Sequence, residues 1–173
     1  MKILTKAALA ATVATGLFAS PAFAAPADTS TFTAKATIVK PVTLAKATDL
    51  DFGTTTMNPS LVSATVTVGD ATGDTAVCSS TQLSCSGGFP ASFNMTGGVG
   101  GQTVQISFTT PPSALTHTVD SSKTVAFTLN PVESVLLNSS GAGSFNVGGQ
   151  ITVTASTVDG NYQANVNIEA NYL

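Results

Sequence analysis

The chain has no arginine and no tryptophan, a single histidine, two cysteines, and only six lysines against nine carboxylates in 173 residues. Each shortage excludes something. Without clustered cations there is nothing to displace counterions from a nucleic acid or to hold an anionic lipid surface, so neither is an expected partner. Tyr162 and Tyr172 are the only tyrosines, which leaves little aromatic platform for stacking on sugars. One histidine cannot seed a zinc constellation. No apolar run is long enough to span a bilayer. With so few charges, the surface must be built largely from Thr, Ser, Asn and Gly.

The amino terminus has the pattern of a secretory leader. Lys2 and Lys6 form a positive start, residues 7–18 are apolar, and Ala22-Phe23-Ala24 is a small-x-small cleavage site. Removing residues 1–24 leaves 149 residues with four lysines and nine carboxylates, a net charge of −5. That is enough chain for one domain with a substantial core and too little for two. Localisation is expected to be export, to the periplasm and then the cell surface or medium. In that oxidising setting Cys78 and Cys85 are expected to form a disulfide that closes a local hairpin. Closing so short a ring stabilises the fold by roughly 2.5 kcal/mol on the chain-entropy account. A redox pair would need CxxC spacing, and a metal site would need a nearby histidine; both are missing.

What is present is alternation. From Tyr162 to Tyr172 every even position is apolar and every odd position polar, the period of a half-buried strand. Similar patterns occur at Phe32, Ala34, Ala36 and Ile38, at Leu44 and then Leu50 and Phe52, and at Val62, Ala64, Val66 and Val68. They recur at Phe89 to Met95, Val104 to Phe108 and Val125 to Leu129. Phe145 and Val147, then Ile151, Val153 and Ala155, flank Gly148-Gly149. Gly, Pro, Asn and Asp punctuate these runs, while residues 131–138 permit one helical turn and residues 69–74 and 96–101 read as loops. The expected fold is all-β: an immunoglobulin-like β-sandwich of Greek-key type with about eight or nine strands, a jelly roll being the nearest rival. The expected divisions are a leader at 1–24, an amino-terminal strand or extension at 25–39, and a sandwich at 40–173.

Candidate chemistry is sparse. His117 lies near Asp120, Ser121 and Ser122, from which a hydrolase can be drawn, but the nucleophile elbow is absent. Asp70 and Asp74 sit in a glycine-containing loop and Asp49 and Asp51 share a strand face; calcium binding there would need more carboxylates than the loop supplies. No cofactor, metal or catalytic residue is expected.

The tail carries a resemblance. Gly160, fourteenth from the end, the penultimate Tyr172 and the alternating apolar residues between them resemble the carboxy-terminal signature of chaperone–usher pilus subunits. That resemblance implies an immunoglobulin-like sandwich lacking its last strand, with Gly160, Tyr162, Ala164, Val166, Ile168, Ala170 and Tyr172 bordering the resulting groove. It implies a donor strand at Phe32, Ala34, Ala36 and Ile38, and as partners further copies or related subunits, a periplasmic chaperone and an usher. The cysteine pair departs from that family in sitting mid-chain. The mature chain is also similar to secreted Gram-negative domains of unknown function with an early Pro41-x-x-Leu44 and an Asp49-Leu50-Asp51-Phe52-Gly53 block. Three readings stand: a structural filament subunit assembled by strand donation, a self-complete secreted sandwich that binds or adheres, and a hydrolase.

Overall fold

The structure, a computed structural model, describes residues 28–173, and the expected leader at 1–24 lies outside them. The chain divides into two units, Met1–Ala36 and Thr37–Leu173. In the first, residues 28–36 carry neither helix nor strand and are exposed. The strand expected over Phe32, Ala34, Ala36 and Ile38 therefore does not form: alternation alone leaves backbone groups unpaired, and strands persist only when a ladder satisfies them. Phe32 and Ile38 are 91% and 94% exposed, so nearly all their apolar surface is free to be buried.

The second unit is all-β, without a helix, and consistent with a β-sandwich. Its thirteen strands are β1 (Thr43–Thr48), β2 (Thr54–Met57), β3 (Ser63–Val68), β4 (Val77–Cys78), β5 (Leu83–Ser86), β6 (Ala91–Thr96), β7 (Thr103–Thr109), β8 (Ala114–His117), β9 (Thr124–Asn130), β10 (Ser134–Leu136), β11 (Gly143–Thr154), β12 (Tyr162–Gln163) and β13 (Asn167–Tyr172). Residues 131–138, where a helical turn was permitted, instead contribute β10, which pairs with β7. The largest sheet runs β1-β6-β11-β9-β8-β12, with β3 on β11 and β4 on β3; β10-β7-β13 form a second sheet and β2-β5 a third.

Alternation becomes burial as expected. In β3, Val66 and Val68 are fully buried, while Thr65 and Thr67 face β11 partners Thr152 and Gln150 across the outer surface. Phe52, Leu61, Val66, Val68, Leu83, Phe127 and Val153 belong to one core cluster, and Met95, Val104, Ile106, Leu137, Phe145 and Val147 to another. Leu50 and Leu129 pack against both.

The two runs flanking Gly148-Gly149 are one twelve-residue strand, β11. It pairs with β6 through Val147 and with β9 from Gly148 onward. At the handover, a Cβ on Gly148 would collide with the backbone carbonyls of Val68 and Gly69. The glycines permit a close backbone approach, not a turn.

Candidate functional site: a cleft between β2 and the segment leading into β13

Beside the cores lies a cleft of about 1430 Å³. Its floor comes from strands that alternate apolar residues inward: Val125, Phe127 and Leu129 from β9, Val147, Ile151 and Val153 from β11, and Ala91 and Phe93 from β6. Phe127 meets Phe52 edge-on at 6.0 Å, an arrangement favoured by the ring quadrupoles. One wall is residues 49–57, which include β2, and the other is residues 157–168, which run into β13.

The strands that reach the cleft have pairing capacity to spare, although of β13 only Asn167 and Ile168 border it. Among the described residues β2 pairs only with β5, and β13 only with β7. A strand with one neighbour has a row of N–H and C=O groups free on its other edge. In β2, the Thr55 hydroxyl is buried with no partner among the described residues.

The carboxy-terminal residues take two places. Residues 161–172 alternate exposed and half-buried without a break, yet they form two strands in different sheets. Tyr162 pairs opposite His117 of β8, whereas Ile168, Ala170 and Tyr172 lie opposite Phe108, Ile106 and Val104 of β7. Gly160, Tyr162, Ala164, Val166 and Ile168 line the cleft. Ala170 and Tyr172 pack against the second core cluster instead, and the Tyr172 hydroxyl accepts a 2.9 Å hydrogen bond from the Val99 N–H.

His117 holds the start of this tail. Its Nδ1 accepts hydrogen bonds from the backbone N–H groups of Val119 (3.1 Å) and Asp120 (3.0 Å). That places the ring proton on Nε2, 3.2 Å from the Asp159 carbonyl it can donate to. Tyr162 stands edge-on to the imidazole at 5.1 Å. Gly160 has φ of 141°, and a Cβ there would strike the His117 ring. The Asp120 carboxylate turns away from the ring to accept from the Ser122 hydroxyl (2.7 Å) and N–H (3.0 Å). These two bonds, with the nearby Lys123 and His117, hold its carboxyl below the ordinary value. So the hydrolase candidates are brought together, but the imidazole faces backbone amides and Ser122 faces the carboxylate.

The other acidic candidates are engaged locally. Asp49 forms an exposed ion pair with Lys46, and Asp51 accepts from the Gly53 N–H at 2.7 Å. Asp74 accepts from the Ala71 N–H at 2.9 Å, and Asp70 from the Asn130 amide at 3.3 Å. No three His, Cys, Asp or Glu converge among the described residues. No helix among them is long and apolar enough to cross a membrane.

Cys78 and Cys85 form the expected disulfide, with Cα atoms 5.8 Å apart; it joins β4 to β5. Sequence reasoning missed β2, whose only apolar residue is Met57. The available signal was the run Thr54-Thr55-Thr56, since β-branched residues favour strands.

The family described as Domain of unknown function (DUF4402) matches residues 42–172, and the chain belongs to it. No curated protein and no solved structure matches.

Proposed function

We propose that this DUF4402 chain is a structural subunit of a surface filament, built when residues 31–40 of one copy lie as an extra strand in the cleft of the next. The observation that carries the reading is the cleft itself: an apolar floor between the singly paired β2 and the segment 157–168, whose last two residues begin the singly paired β13. An alternating strand satisfies both needs of such a site, backbone pairing at the edge and side chains for the floor. Phe32, Ala34, Ala36 and Ile38 supply the alternation, and burying Phe32 and Ile38 contributes about 1.5–3 kcal/mol each. A head-to-tail contact of this kind does not close on itself and extends into a fibre.

Charge supports a second copy as the occupant. Residues 41–173 carry two lysines against eight carboxylates, a net −6, while residues 31–40 carry Lys35 and Lys40 and no acid. Asp49, Asp51 and Asp159 lie along the cleft with one lysine, Lys46, which is paired with Asp49 and leaves a net −2 there. Opposite charges of this kind speed encounter and select the partner.

In this reading the fold is an immunoglobulin-like sandwich of Greek-key type with one strand's place open. The chain is exported, a periplasmic chaperone covers the cleft before assembly, and an usher passes subunits to the surface. The second reading is a self-complete secreted sandwich that binds or adheres, with residues 31–40 as its own first strand.

The test is a denaturing gel of protein recovered from the cell surface, with and without boiling. A ladder of multimers that collapses to monomer on boiling is expected, because strand exchange is trapped kinetically. A monomer band in both lanes overturns the reading.

A further inference from the structure

The wall formed by β2 belongs to the smallest sheet. Among the described residues β2 pairs only with β5 and β5 only with β2, and a two-stranded ribbon is marginal by itself. Its ends are anchored: Phe52 before it and Leu61 after it are core residues, as is Leu83 of β5. Asn58 donates to the Gln82 carbonyl and Ala76 to the Gly87 carbonyl. The middle of the ribbon is joined to the large sheet by something else. Thr55, which lines the cleft, lies opposite Cys85 in the β2–β5 register. Cys85 is bonded to Cys78. Cys78 lies opposite Val66 of β3, and β3 pairs with the central strand β11. One covalent crosslink therefore joins the large sheet to β5, and the β2–β5 pairing extends that link to Thr55 in the cleft wall.

We propose that the Cys78–Cys85 disulfide is a positioning crosslink for the cleft, holding the β2 edge where an incoming strand can pair with it. The inference rests on the reading of the cleft as a strand acceptor. The ring it closes spans a sequence separation of only seven, so it restrains the unfolded chain less than a long-loop disulfide would. Beside that effect stands a local one, since an edge held in place spares the incoming strand the cost of ordering it.

The experiment uses the full chain and a fluorescein-labelled peptide of residues 31–40, with binding read by fluorescence anisotropy. The oxidised protein, the reduced protein and the Cys78→Ala/Cys85→Ala variant are compared, each also followed by amide hydrogen exchange. The expected result is binding by the oxidised protein and a loss of affinity of about tenfold or more without the crosslink. Exchange should quicken at β2 and β5 while β3, β9 and β11 stay protected. Equal binding in all three overturns the positioning role and leaves the acceptor reading intact. Protection lost evenly through every strand overturns it too, because the disulfide is then a staple of the whole fold. No binding even by an oxidised protein that runs as monomer without boiling, its cleft therefore unfilled by a second copy, removes the acceptor reading and this inference with it.

Discussion

Val166 and Ile168 are two residues apart on one face of the tail, yet they pack against different core clusters. Between them Asn167 is exposed. This is the finest consequence of a period of two: neighbouring residues meet opposite environments. Ile168→Asp should lower stability by about 3 kcal/mol, combining lost apolar burial with a carboxylate placed against the core. Asn167→Asp should change it by less than about 0.5 kcal/mol. Urea unfolding of both variants checks this, and equal losses would mean the two faces are not distinct. The alternation was legible residue by residue. The part played by His117 was not, because it depends on Gly160, 43 positions later, whose missing Cβ makes room for the imidazole.

At the scale of elements, local pattern located strands better than it bounded them. The alternation from Tyr162 to Tyr172 reads as one strand, but β8 and β7 belong to different sheets, so the segment divides into β12 and β13 as it passes between them. Gly148-Gly149 reads as a break, but β11 runs through it and changes partners there. Both differences have one cause: pairing is decided by strands distant in sequence, and a local pattern does not contain them. Gly148→Val should cost about 2–3 kcal/mol, since its side chain would meet rigid backbone rather than movable side-chain ends. Thermal unfolding followed by circular dichroism measures the loss; an unchanged midpoint would show that β11 and β3 can separate without penalty.

Across the whole molecule, charge is scarce and unevenly distributed. In the proposed filament, the two lysines of residues 31–40 and the net −6 of residues 41–173 should make growth sensitive to ionic strength, since screening shortens the reach of such attraction to several ångströms. Raising salt from about 0.05 M to 0.5 M should slow assembly of the full chain about tenfold, measured by light scattering. A rate independent of salt would remove charge from the account of partner choice.

Composition and alternation determined the all-β character of the described residues, the inward and outward sets of most strands, and the cysteine pair, because each depends on residues close together in sequence or on the number of cysteines available. The tertiary structure decided that residues 28–42 form no strand, that the tail is shared by two sheets, and that a cleft lies open between β2 and the segment leading into β13. A cleft arises where two distant walls fail to meet, and the distance between them is set by the packing of everything else.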